Sequence, residues 1–362
     1  MHPLAAVRRS ILGQRIADFP VASFTFVMAT GIISIAAAQQ GLAQLSALLL
    51  LINTVAFATL WLLTLLRLVH HPRAFLADLQ HYQRGPGLLT VVAGTGVLGT
   101  QISLLTPYQN IATALWLGGF GLWAGLTYCL FAVATTRAAN PPLHAGLDGT
   151  WLLAVVAPQS LAVLGTHVPG KFAMSEMAVF VSLCLFLLGG FFYLIIITFI
   201  LYRWLFKDMQ PDHLTPSYWI SMGAAAITTL AGARLALSAG AYPELAEVRG
   251  FIIGETILFW TVATWWIPLL LVLMIWRHLV GGVAFVYRLD YWSMVFPIGM
   301  YAAASWTFSH EVGANFLVCV PRIFVWIAIT AWGITFIGMM RHLTALLHRR
   351  GHAPLMQADD PR

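Results

Sequence analysis

Charge is scarce in this chain. Asp, Glu, Lys and Arg make up 9% of its 362 residues, against about 25% in soluble domains. That shortage excludes an ordinary water-exposed surface. Cysteine is nearly absent, and Cys129, Cys184 and Cys319 match neither a disulfide framework nor a CxxC metal site, so they read as small buried hydrophobes. There is no H-E-x-x-H run and no phosphate-binding glycine loop. Gly94–Gly99 (GTGVLG) fits GxGxxG, but it lies in an apolar run with no strand before it, so helix packing explains it. No two of the twelve histidines face each other at mid-membrane depth, as a transmembrane haem requires. The sequence therefore calls for no metal or cofactor, and no catalytic constellation marks an enzyme.

Hydrophobic residues fill the space that charge leaves. They form 60% of the chain, with mean hydropathy +0.82. Ten apolar segments each reach the length of about 20 residues that crosses a bilayer: 20–40, 44–69, 86–105, 109–135, 149–168, 174–204, 217–239, 251–278, 291–313 and 321–347. The odd-numbered ones begin near Pro20, Pro86, Thr150, Ser217 and Tyr291, at intervals of 66, 64, 67 and 74 residues. Such a period marks one supersecondary unit repeated, here a helical hairpin used five times. The expectation is an all-α integral membrane protein, ten spans in a quasi-fivefold ring. Residues 16–347 form the domain, between an N-terminal tail (1–15) and a C-terminal tail (348–362).

The net charge of +6 reports topology rather than a nucleic-acid partner. Assigning loops alternately to two sides places 15 Lys and Arg on one side and 3 on the other. The richer side, with Arg67, Arg73, Arg84, Arg137, Arg203, Lys207, Arg277, Arg288 and Arg341 among its members, is cytoplasmic by the positive-inside rule. An even number of spans puts both termini there. A cell (inner) membrane location follows. Arg8 and Arg9 ahead of an apolar stretch resemble a signal peptide, but cleavage after Ala38 would delete one member of the repeat.

The paired segments differ in character. The even-numbered spans hold 25 Phe, Trp and Tyr and the odd-numbered ones 11; the third span has none. Bulky aromatics suit lipid-facing surfaces, whereas small and hydroxylated residues suit close packing or a polar lining. Odd spans are therefore expected inside, around a pore, with Thr30, Ser34, Thr95, Thr100, Ser160, Thr228 and Pro297 as lining candidates. Pro158 and Pro297 interrupt odd spans and free backbone carbonyls, although Pro268 does the same in an even one. Arg234 and Glu255 are the charges well within spans. They lie near the outer ends of adjacent helices, so they either neutralise each other or leave Arg234 free to attract anions. His167 and His310, near outer ends, are titrating candidates.

Three runs carry a resemblance: Phe26–Ser34 (FVMATGIIS), Val91–Gln101 (VVAGTGVLGTQ) and Tyr291–Gly299 (YWSMVFPIG). The chain resembles, over about residues 16–347, the tellurite-resistance/C4-dicarboxylate transporter family, which includes slow-type anion channels. The resemblance implies five hairpins with odd helices lining the pore, a homotrimer with one pore per subunit, and a phenylalanine on the ninth helix that plugs it. Phe296, just before Pro297, is the matching position. The expected function is an anion channel or facilitator for small anions or C4-dicarboxylates. The alternative is a proton-coupled carrier for malate-like acids or sulfite efflux, with His167, Glu255 and His310 titrating.

Overall fold

The computed structural model describes residues 11–137, 139, 141–142, 146–168, 173–311 and 313–348, and among them the regular structure is entirely helical. Residues 1–10 and 349–362, most of both expected tails, lie outside that description. A short helix α1 (Ile11–Ala17) crosses the expected tail boundary. Five hairpins follow. They are α2 (Phe24–Gln39) with α3 (Ala43–His70), α5 (Thr90–Leu105) with α6 (Gln109–Thr135), α7 (Leu153–Gly165) with α8 (Ala173–Phe206), α9 (Ile220–Ser238) with α10 (Pro243–Ile275), and α11 (Trp292–Glu311) with α12 (Cys319–His348). A short α4 (Pro72–Gln80) joins the first hairpin to the second.

Eight described helices are long and apolar enough to cross a membrane. The fifth span is apolar but shorter (Gly149–Gly165), and α11 has the length without the apolarity, since it carries Ser293, Ser305, Thr307, Ser309 and His310. The eighth span starts earlier than expected, at Pro243, because charged first turns bearing Glu247 and Arg249 extend the helix beyond its apolar part.

Burial separates the two sets. In the first, third and seventh spans 78–89% of the apolar stretch is buried; in the five even spans 17–44% is. α2 packs on α5, α5 on α7, α7 on α9, α9 on α11, and α11 returns to α2. Each outer helix pairs with its own inner helix and also leans on the inner helix of the next hairpin, α12 on α2 included. The inner backbones approach closely where side chains are small. A Cβ on Gly96 would fall 2.6 Å from Ser160 Oγ, and one on Gly223 would fall 2.7 Å from Pro297 Cγ. This is small-residue packing of the kind membrane helices use.

Every inner helix opens with a 3₁₀ turn at the same end: Val21–Ser23, Pro86–Leu89, Gly149–Leu152, Pro216–Trp219 and Leu289–Tyr291. Proline at the first position suits such a start because its φ is preset and it lacks an N–H. An arginine near the end of the outer helix then clasps the backbone just before that start. Arg67 donates to Ala17 O (2.9 Å), Arg203 to Leu147 O, and Arg277 to Leu214 O (2.9 Å); Arg137, after α6, donates to Gln80 O. Each bond closes its own hairpin. Arg67, Arg203 and Arg277 are buried, so these residues, which the sequence presents as solvated topology signals, are structural. Arg67 also pairs with Asp78 (2.6 Å), which holds Arg84 (2.9 Å). The cysteine expectation is corrected too: Cys129, Cys184 and Cys319 are free and exposed, on outer helices that face away from the core.

Candidate functional site

Two cavities sit at opposite ends of the inner helices, and each is lined by all five hairpins. The first, of about 360 Å³, lies toward the C-terminal ends of those helices. Its walls include Ile32 and Gln39 from α2, Thr100 from α5, Ser160 and then His167 beyond α7, Arg234 from α9, and Thr307 from α11. The second, of about 260 Å³, lies at the 3₁₀ starts. There each hairpin contributes a hydroxyl: Thr25, Thr90, Thr150, Ser217 and Ser293, beside Arg288 and Asp290.

The helical register links the cavities. Thr25 and Ile32, Thr90 and Val97, Leu153 and Ser160, and Ser293 and Met300 each lie seven residues apart on one helix, the first member lining one cavity and the second the other. Seven residues are two turns, about 10 Å of rise. Residues three positions along from the first member share its face. They are Met28, Ala93, Val156 and Phe296, each 0–1% exposed. Phe296 supplies the one aromatic ring in that layer.

The electrostatics of the two ends differ. Helix N-termini present unpaired N–H groups and a partial positive charge, and five of them converge on the second cavity. Two acids oppose this. Asp290 is held by Arg288 (Nε–Oδ1 3.2 Å, Nη2–Oδ2 2.9 Å), and Asp148 accepts from Thr150 N at 2.9 Å. Burial pushes the Asp148 carboxyl above its ordinary range, against the lowering effects of the Thr150 bonds and Arg203. At the first cavity the helix C-termini carry the opposite partial charge, and Arg234 is the cation that offsets it.

Of the sequence candidates, Thr100, Ser160, Arg234 and His167 meet in the first cavity. The hydroxyls of Thr100 and Ser160 donate to Gly96 O (2.9 Å) and Ala157 O (2.7 Å), so they turn lone pairs, not protons, to the space. The other candidates point elsewhere. Thr30 accepts from Trp332 Nε1 of α12 (3.0 Å), and Ser34 donates to Ser46 O of α3 (2.8 Å). Thr95 turns its methyl to Gly119 of α6. Thr228 is buried with its hydroxyl on Ala224 O (2.8 Å), and Pro297 lies against Gly223. His310 is exposed and stacks on Trp306, 4.1 Å between centroids. Neutralisation of Arg234 by Glu255 does not occur: the described ion pairs do not include it, and Glu255 lies against Gly190 of α8 while Arg234 Nε is buried without a partner.

Sequence reasoning did not group the five hydroxyls at the 3₁₀ starts as one site. Their signal was present as a Ser or Thr within a few residues of each odd-span start, repeated with the hairpin.

An all-helical chain of repeated apolar hairpins with a cavity at each end of its buried helices belongs to the class of membrane transport proteins. Residues 18–340 match the SLAC1 family, described as voltage-dependent anion channel, and the chain belongs to that family. It is 22% identical over 333 residues to an uncharacterized transporter of Methanocaldococcus jannaschii, covering 89% of this chain and 94% of the relative. It is 35% identical over 163 residues to an uncharacterized membrane protein of Mycobacterium tuberculosis, covering 45% of this chain and 82% of the relative. Family and relatives together support a membrane anion transporter or channel.

Proposed function

We propose that the protein is an anion channel or facilitator whose path runs along the axis of α2, α5, α7, α9 and α11, closed between the two cavities by Phe296. The observation that carries this reading is the shared register: residues on one face of four inner helices line both cavities, and Phe296 occupies that face in the layer between. A dewetted apolar constriction stops ions without binding them. Met28, in the same layer on the adjacent helix α2, narrows the path further. Small anions or C4-dicarboxylates enter at the 3₁₀ starts, which face the cytoplasm with both termini, and leave past Arg234. The protein works as a homotrimer in the cell membrane, one path per subunit.

The test is conductance of purified protein in planar bilayers. Phe296→Ala should raise anion current well above wild type. Met28→Ala should raise it less, since a methionine chain bends aside more readily than a ring. Wild-type current in a folded Phe296→Ala protein would remove the plug from the reading.

His167 lines the first cavity, which favours a second reading, a proton-coupled carrier. Flux driven by a pH gradient at zero voltage, and lost in His167→Gln, would select it.

A further inference from the structure

A third cavity, of about 580 Å³, opens sideways between α3 and α12, at the end where the inner helices start. Its walls are apolar, with Phe26, Leu63, Trp292 and Met339 among them. Along α3 it extends from Leu63 to Ala56, seven residues or about 10 Å toward the middle of the span. Its basic residues, Arg288 and His342, stand at the loop end. Arg341 lines the adjoining hollow beside Tyr287. A slot that is apolar along its length and basic at one end has the polarity of a phospholipid with an anionic head.

Arg288 has a second address. It also lines the cavity at the 3₁₀ starts, where it grips Asp290 with two hydrogen bonds while remaining 54% exposed. One guanidinium thus stands between the lateral slot and the axial cavity. The slot and its adjoining hollow are lined by Arg288 and Arg341 with no acid among their described lining residues, while Asp290 and Asp148 lie on the axial side of Arg288, so a phosphate entering the slot adds to a net positive site. Arginine binds phosphate in the same forked manner as carboxylate.

We propose that an anionic glycerophospholipid seats in the slot between α3 and α12 with its phosphate on Arg288, and that it regulates the axial cavity by drawing Arg288 away from Asp290. Releasing Asp290 leaves a bare carboxylate beside the five hydroxyls. That charge opposes the helix N-termini and lowers anion occupancy there. The binding claim stands without the transport reading; the effect on flux rests on it.

Native mass spectrometry of the full chain tests binding, with phosphatidylglycerol and phosphatidylcholine as probes. Wild type should keep phosphatidylglycerol adducts selectively. Arg288→Gln, which removes the fork, and Leu63→Trp, which fills the slot, should lose them; Met339→Trp repeats the second change should Leu63→Trp misfold. Adducts retained in Arg288→Gln and in a slot-filling variant would overturn the proposal. So would a disulfide between copies from Leu63→Cys, which would place a second subunit there.

Anion flux in liposomes tests the coupling. Wild-type flux should fall several-fold when phosphatidylglycerol replaces half the phosphatidylcholine. Leu63→Trp, in the same vesicles, reports the general surface-charge effect and should fall much less. Asp290→Asn should keep its adducts and lose the lipid dependence. Equal falls in wild type and Leu63→Trp, or inhibition of phosphatidylcholine vesicles by inorganic phosphate alone, would refute it. Absence of flux in every vesicle would count against the transport reading and leave the adducts to decide the site.

Discussion

Arg277 donates to the carbonyl of Leu214 at 2.9 Å, and the same nitrogen lies within 3.0 Å of the Pro211 and Asp212 carbonyls. The guanidinium is buried at the end of α10, and the three carbonyls belong to the loop that leads into α9. Arg277→Met would take the guanidinium from all three carbonyls, of which Pro211 O keeps only a long bond from Leu214 N–H, and removing a charged partner from a buried bond costs about 3 kcal/mol. The variant should melt well below wild type in detergent by intrinsic fluorescence, whereas Arg73→Met, at an exposed position, should melt as wild type does.

Gly149 meets backbone rather than a movable side chain. A Cβ there would fall 2.2 Å from the Ser217 carbonyl oxygen. Gly149→Ala must therefore push the starts of α7 and α9 apart, at a cost of about 1–3 kcal/mol. A lowered melting temperature is expected. Gly118→Ala, where open space surrounds the added methyl, should leave it unchanged.

Arg234 should set the sign of the first cavity. Arg234→Gln is expected to lower anion flux several-fold, and Arg234→Glu to lower it further, because each removes the cation that offsets five helix C-termini. Raising salt should shrink the difference as the field is screened. Reversal-potential measurements with chloride gradients give the readout, and a selectivity identical to wild type would dismiss the role.

Asp148 gives the 3₁₀-start cavity a pH response. Burial raises its carboxyl pKa, and neighbouring Asp290 pushes the same way. As pH on that side falls through the raised value, the negative charge disappears and anion flux should rise. As pH climbs above it, flux should fall to a plateau. Asp148→Asn, which still accepts from Thr150 N, should stay at the higher level throughout. Flux measured from pH 7.5 down to pH 4.5 on the two proteins checks the sign.

The hairpin period and the division into inner and outer helices were legible because both follow from bulk quantities, span spacing and aromatic content. The lining was far less legible. An inner helix is buried on every side, as Phe24–Ala37 of α2 is. It therefore has no polar stripe to reveal which face meets a cavity. Thr30, Ser34 and Thr95 read as lining because hydroxyls in apolar spans invite it; the first two instead tie α2 to outer helices, and Thr95 faces one. Arg67, Arg203 and Arg277 were misread for a related reason. A basic residue at a span end satisfies the positive-inside pattern whether it is solvated or buried on carbonyls, and only tertiary contact separates the cases. The expectation of a gate at Phe296 came through resemblance alone, since nothing in its neighbours' composition distinguishes it from the other aromatics of α11.

Each arginine clasp ties an outer helix to the loop leading into its own partner, and Arg67 and Arg203 add a contact to the following hairpin through Asp78 and the Tyr218 hydroxyl. A hairpin can thus latch as soon as its second helix leaves the ribosome, before later hairpins exist. Two fragments cut within Asp208–Gln210, between the third and fourth clasped units, should accordingly reassemble when co-expressed. A cut inside a clasped unit, between Gly240 and Tyr242, should not.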